Sequence, residues 1–126
     1  MRRIETGRPY EQMVSHGAGT VAEGRVFFTS GMTSRDREGN VVGKGDMAAQ
    51  IAQAFANIGD ALRAAGTYFP HVVKYTIYVT DIDLYRREAP AIVGPYTAHR
   101  QSSTLVQVAR LAHPDFLIEV EAIAEL

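Results

Sequence analysis

Two glutamates near the C-terminus are the side chains best placed for proton chemistry. Glu119 and Glu121 stand two apart in residues 117–126, where apolar and polar residues alternate as in a strand. Side chains alternate along a strand, so both carboxylates project to one side, about 6 to 7 Å apart. That spacing suits a general acid paired with a general base. The competing reading is a solvated strand face, because charged residues are mostly exposed. The four histidines, His16, His71, His99 and His113, include no pair four residues apart, the spacing that sets two imidazoles on one helix face. With no cysteine to supply a thiolate either, no metal site is expected. His16 lies in Ser15-His16-Gly17-Ala18-Gly19, from which its imidazole could reach a ligand. A plain surface histidine is the competing reading. The glycine runs at 17–19 and 43–45 match neither a P-loop nor a dinucleotide fingerprint and read as turns. There is no Gly-x-Ser-x-Gly elbow, and Ser30 has no base beside it in sequence, so serine-hydrolase chemistry is not expected.

The elements that must position these groups are legible in the pattern. Residues 25–31, rich in aromatic and β-branched types and closed by Gly31, read as a strand after an irregular lead-in over residues 1–14. Asp36-Arg37-Glu38-Gly39-Asn40 has turn chemistry and leads into the apolar pair Val41-Val42. Met47, Ile51, Phe55, Ile58, Leu62 and Ala65 recur at three- and four-residue intervals, which predicts one buried helical stripe. Asp46 is its expected N-cap and Gly66 its C′ residue. Beyond Pro70, Val73, Tyr75, Ile77 and Val79 alternate with Lys74, Thr76, Tyr78 and Thr80, a strand with two distinct faces. Residues 82–98 read as a second helix, capped at Asp81 or Asp83 and kinked or frayed by Pro90 and Pro95. Strands over 103–111 and 117–126 complete an α+β layer with helices on one sheet face. On the last strand Ile118, Val120, Ala122, Ala124 and Leu126 share one face, and Leu117, Glu119, Glu121, Ile123 and Glu125 share the other. That second face is neither a dry core nor a uniformly wet surface. Burial against sister subunits, with a polar site embedded in the contact, explains it.

Composition narrows the class. At 126 residues with 46% hydrophobic and 21% charged content, one domain spanning 1–126 is expected. Thirteen Lys and Arg against fourteen Asp and Glu leave a net charge of −1, so no field draws in a polyanion or an anionic membrane. Neither a nucleic-acid nor a membrane partner is expected. The absence of cysteine removes disulfides and thiol nucleophiles and fits a reducing, cytoplasmic setting. The charged start Met1-Arg2-Arg3-Ile4-Glu5 runs into Gly and Pro and is unlike a secretory signal, and no window approaches the roughly 20 apolar residues of a membrane span.

The chain resembles the Rid (reactive intermediate deaminase, YjgF-like) family over nearly its whole length. The matching stretches are Phe27-Phe28-Thr29-Ser30-Gly31, Gln50 with the helix end Ala64-Ala65-Gly66, and Val72-Val73-Lys74 through Tyr78-Val79-Thr80-Asp81. The most diagnostic are Val106-Gln107-Val108-Ala109-Arg110-Leu111 and Ile118-Glu119-Val120-Glu121-Ala122-Ile123-Ala124. The resemblance implies a chorismate-mutase-like α+β fold, with two helices on one sheet face, in a homotrimer whose sheets form a central barrel with clefts between subunits. It also implies hydrolysis of small imines and enamines, such as 2-aminoacrylate, to keto acids and ammonia, with no cofactor. In such a site an arginine grips the substrate carboxylate and a glutamate orients or activates water.

Carried over by position, the glutamate is Glu119 and the glycine closing the first core strand is Gly31. The arginine position holds Ser103, the position where many members carry cysteine holds Leu105, a common tyrosine falls at about Gly17, and an asparagine falls at Ala89. One serine hydroxyl cannot reproduce a bidentate arginine contact. Arg100, three residues earlier, is the nearest cation to the vacated position, the competing reading being a solvated loop arginine. Arg110 falls on the opposite strand face, where a structural partner is expected. The resemblance thus points to an imine or enamine hydrolase or tautomerase with altered substrate range. Glu119 would handle protons or water, and Gly31, Ser103, Arg100, His16 and Leu105 would shape the pocket. The expected ligand is uncharged or carries its anion elsewhere, in a cleft less basic and more apolar than arginine-bearing ones. The alternative is a trimer that binds a small metabolite without turnover. A ribonuclease label attaches to some relatives, but the near-neutral charge and lack of clustered Lys and Arg speak against that activity here.

Overall fold

The computed structural model describes residues 1–14 and 16–126. Strands β1 (Arg2–Ile4) and β2 (Gly19–Val21) form a small antiparallel ribbon. Four strands make the main sheet: β3 (Val26–Phe28), β4 (Val72–Val79), β5 (Ser102–Gln107) and β6 (Ile118–Glu125), in spatial order β3-β6-β4-β5. Only β4 and β5 run parallel, and the long connection that a parallel pair requires holds α2 (Ile82–Glu88), a 3₁₀ turn (Ala89–Ala91) and α3 (Gly94–Thr97). Helix α1 (Met47–Ala64) precedes β4. The result is a mixed α+β fold with two sheets and three helices.

Helix α1 forms where its stripe predicts. The Asp46 carboxylate accepts from the Ala49 N–H at 3.1 Å, and Gly66, at φ +84°, closes the C-terminus. There the Gly66 and Thr67 N–H groups donate to the Arg63 and Leu62 carbonyls, each at 3.0 Å, which satisfies two orphan acceptors. Ile51, Phe55, Ile58 and Leu62 are fully buried in one cluster with Val72, Tyr75, Ile77 and Val79 of β4 and Ile118, Val120, Ala122 and Ala124 of β6. Burying each such aliphatic side chain is worth about 1.5–3 kcal/mol, which is what holds the helix to this sheet face. Tyr85 and Ala89 join the same cluster, so the second helical segment lies on that face too. Burial pushes the Tyr85 phenol up to about 12. Fully buried Tyr75 donates to the Tyr96 carbonyl at 2.8 Å, and Gln101 donates to the Phe69 and Tyr96 carbonyls at 3.1 and 3.0 Å, fixing the start of β5.

The structure departs from the sequence reading in three places and turns the kink expected in the second helix into a full break. The lead-in is not wholly irregular: β1 pairs with β2, a contact between segments that carry no strand signal alone. The second helix breaks at Pro90, whose ring and missing N–H end α2, and resumes as the short α3. Strand β5 stops at Gln107 instead of running to 111. In β4 a bulge between Val72 and Lys74 makes Val72 the partner of Ala124 and the core residue, while Val73 falls outside that cluster. No helix among the described residues is long and apolar enough to cross a membrane.

Candidate functional site

Gly31 and Glu119 meet at an irregularity in the sheet. Phe28 pairs with Ile123 and the Thr29 N–H donates to the Ala122 carbonyl, yet the next bridge joins Met32 to Val120. Three residue steps on one side are thus matched to two on β6, a bulge that carries the chain at Gly31 over the Glu119 side chain. The Thr29 hydroxyl accepts from the Ala122 N–H at 2.9 Å and fills the gap this leaves. A methyl group at position 31 would lie 2.6 Å from Oε2 and 2.7 Å from Cδ of Glu119, so the absence of a side chain there makes room for the carboxylate.

The glutamate pair, symmetric in sequence, is unequal in the fold. Tyr78 donates to Glu121 Oε1 at 3.0 Å, and that bond holds the tyrosine above its ordinary value, helped by the charges of Glu121 and Glu119. Glu121 is thereby engaged. The half-buried Glu119 carboxylate has no hydrogen-bond partner among the described residues.

Ser103, His16 and Arg100 belong to a different part of the molecule. Ser103 pairs with Tyr75 of β4, whereas Glu119 pairs with Tyr78. The two are therefore roughly 10 Å apart along the strands and two strand spacings, about 9.6 Å, apart across them. Ser103 borders a cleft of about 390 Å³ lined also by His16, Gly17, Thr20, Val73, Lys74, Ser102 and Thr104. A second cavity of about 120 Å³ contains Phe28, Lys74, Thr76 and Glu121. Neither contains Glu119. Leu105, in register with Ile77, packs against the hydrophobic core. A single chain therefore brings Gly31 to Glu119, and His16 to Ser103, but does not join the two groups. Where a more apolar cleft was expected, Thr20, Ser102 and Thr104 bring hydroxyls to it, whereas strand alternation sets the Ser103 side chain on the sheet face of its buried partner Tyr75.

Arg100 is committed elsewhere. Its Nε and one Nη donate to the two carboxylate oxygens of Glu5 at 3.0 and 3.2 Å, and its other contacts are the Val14, Glu11 and His16 carbonyls at 3.1, 2.9 and 3.1 Å. Its backbone sits at φ +54°, and the bond to Glu5 holds the guanidinium above its ordinary value. This clamp explains the absence of a side chain at Gly17, where a methyl would lie 2.6 Å from Glu5 Oε1 and 2.7 Å from the Ile4 carbonyl oxygen. His16 is held by an Nδ1 hydrogen bond to the Gly17 carbonyl at 3.0 Å.

The same segment depends on Glu11, which is 2% exposed and accepts from the Thr6 hydroxyl and from the Thr6 and Gly7 N–H groups. The Thr6 hydroxyl, followed by those backbone donors, holds its carboxyl below the ordinary 4.5. A lowered folded-state value means that its contribution is complete above 4.5 and fades as the pH falls through the folded-state value. Acidification from neutral pH to below the folded-state value is expected to speed amide exchange, taken relative to unfolded-chain rates at the same pH, in β1 and β2 before the main sheet, and Glu11→Gln should do so at neutral pH. Equal acceleration in β1 and β4 counts against this.

Lys74, Thr20 and Ser102, which line the larger cleft, are not singled out by the sequence. The period-two pattern already set Lys74 opposite the buried face of β4, but only the ladder shows Ser102 beside it and the 2.8 Å hydrogen bond between Thr20 and Ser102.

Comparison with known proteins adds context. A family model described as Endoribonuclease L-PSP matches residues 2–126. The chain is 30% identical over 129 residues to the RutC family protein slr0709 of Synechocystis, covering 100% of this chain and 97% of that one. It is 30% identical over 100 residues to human 2-iminobutanoate/2-iminopropanoate deaminase, covering 79% of this chain and 72% of that one. The solved structure of the Rid-family protein YyfB from Yersinia pestis aligns with a TM-score of 0.86 at 28% identity, covering 99% of this chain and 98% of that one.

Proposed function

This chain belongs to the YjgF/Rid family, described by its model as Endoribonuclease L-PSP, and from that premise we propose that it hydrolyses or tautomerises a small imine or enamine in a cleft between copies of itself. The observation that carries the reading is Glu119, half-buried over Gly31 with no protein partner, while its neighbour Glu121 is tied to Tyr78. A carboxylate kept free in this way serves as a general base. In imine hydrolysis Glu119 takes a proton from the attacking water as its oxygen bonds to the C=N carbon. That proton passes to nitrogen to give a carbinolamine, the carboxylate then moves the carbinolamine hydroxyl proton to the amine as the C–N bond breaks, and the carbonyl compound leaves with ammonia. The same carboxylate moves a proton between carbon and nitrogen in enamine tautomerisation.

The assembly is argued from the open sheet face. Phe28, 66% exposed, and Val106, 37% exposed, lie beside Tyr78 and Ile123 on the face away from the helices. A homotrimer of chorismate-mutase-like subunits would cover these apolar groups and set the Gly31–Glu119 pair of one copy against the Ser103–His16 cleft of the next. The absence of a guanidinium at Ser103, together with the commitment of Arg100 to Glu5, favours a ligand range different from that of arginine-bearing members. It also supports the second reading, a trimer that binds a metabolite without turning it over.

The test generates 2-iminopropanoate enzymatically in the presence of the protein and follows ammonia release, with the assembly read by gel filtration and light scattering. A trimer that releases ammonia more slowly than an arginine-bearing relative is expected. A monomer defeats the inter-subunit site, and a rate equal to the relative's defeats the altered range.

A further inference from the structure

Lys74 stands where the two cavities of the open sheet face adjoin, and it is the one permanent cation lining either of them. In the ladder it pairs with Ser102 on one side and Ile123 on the other, while Thr76 pairs with Thr104. Partners in register share a face, so Lys74, Ser102 and Thr104 project to the same side of the sheet. The Ser102 hydroxyl is 2.8 Å from that of Thr20, which orders the rim of the cleft against β2. Lys74 takes part in none of the ion pairs among the described residues. The carboxylate in the adjoining cavity, Glu121, accepts instead from Tyr78. A half-buried ammonium without a counterion, bordered by neutral hydroxyl donors, is matched by an anion arriving from solution.

We propose that the cleft beside Lys74 is an anion subsite, in which the Lys74 ammonium and the hydroxyls of Ser102 and Thr104 hold the carboxylate of a small organic acid. The assignment rests on the proposed enzymatic reading only for what the rest of that acid undergoes. One ammonium with neutral donors balances one negative charge. A monocarboxylate is thus matched, and a phosphate dianion would carry uncompensated charge into the cleft. An ammonium is a point charge without the planar fork of a guanidinium, so it fixes the position of the carboxylate but not its plane. Wider tolerance for the group attached to that carboxylate follows.

The experiment titrates the assembled full-length protein with pyruvate and, separately, with inorganic phosphate, by calorimetry and by the side-chain resonances of ¹³C-labelled lysine. Pyruvate is expected to shift one lysine resonance, identified by its absence in Lys74→Met. Pyruvate affinity should fall at least about 10-fold in that variant and weaken with salt, and phosphate should bind more weakly than pyruvate. Ser102→Ala combined with Thr104→Val, which leaves the charge in place, should give a smaller loss. If Lys74→Met fails to assemble, Lys74→Arg identifies the resonance, and the hydroxyl variant decides: unchanged affinity there overturns the proposal. So do pyruvate binding that survives Lys74→Met, absence of any lysine shift in the wild type, and tighter binding of phosphate. Ammonia release is read separately. Its absence, with pyruvate still bound at Lys74, defeats the enzymatic reading alone. Its presence, with neither KM nor pyruvate affinity changed by Lys74→Met, defeats the subsite alone.

Discussion

Glu119→Gln is expected to lower ammonia release from the imine substrate by about 10²–10⁴-fold, the range lost when a positioned general base is removed. Glutamine has nearly the volume of glutamate and keeps the contact with Gly31, so the denaturation midpoint and the oligomeric state should not change. The control is Glu121→Gln. Its carboxylate already accepts from Tyr78, so its loss should cost far less in rate and should be felt first by the tyrosine, which that bond holds above its ordinary value. Steady-state rates for the two variants decide between them. Equal losses would return both carboxylates to the symmetric role they have in sequence, and an active Glu119→Gln would remove the proton-handling role from position 119.

Gly31→Ala should be nearly as damaging to rate, by a different route. Gly31 is not in the left-handed region, so its backbone accepts an L residue, and the obstacle is the Glu119 side chain alone. A Cβ 2.6 Å from Oε2 forces the carboxylate aside. The end of a glutamate side chain moves cheaply, so the fold survives while the base leaves its place. A displacement on the order of 1 Å in a reacting group costs about 10²-fold in rate. We expect kcat to fall by that order, with a denaturant midpoint close to wild type. In a Glu119→Gln background the alanine should cost nothing further in rate, because the group it displaces is no longer a base. A loss that persists in that background would mean that Gly31 acts through something other than Glu119.

Much of the fold was legible because it rests on short-range periodicity. The α1 stripe, its Asp46 and Gly66 caps, the alternation in β4 and β6 and the break at Pro90 all follow from residues within a few positions of one another. The β1–β2 ribbon was not legible, because neither three-residue strand carries a pattern and the pairing spans residues 2–21. The bulge at Val73 was missed for a related reason: an extra residue in a ladder is visible only against the partner strand. The family, and with it Glu119 and Gly31 as candidates, was also within reach of the sequence.

The side-chain types at 31, 119 and 103, and therefore the presence of a carboxylate and the want of a guanidinium, were decided by the sequence alone. Which of the two glutamates stays free, that Arg100 is taken up by Glu5, and that Lys74 faces a hydroxyl-lined cleft were decided only by the tertiary structure. The reason is physical: the protein groups that engage a charged side chain come from whatever the fold brings within about 3 Å of it. For Arg100 that group lies 95 residues away in the chain, and for Glu121 it lies 43 away.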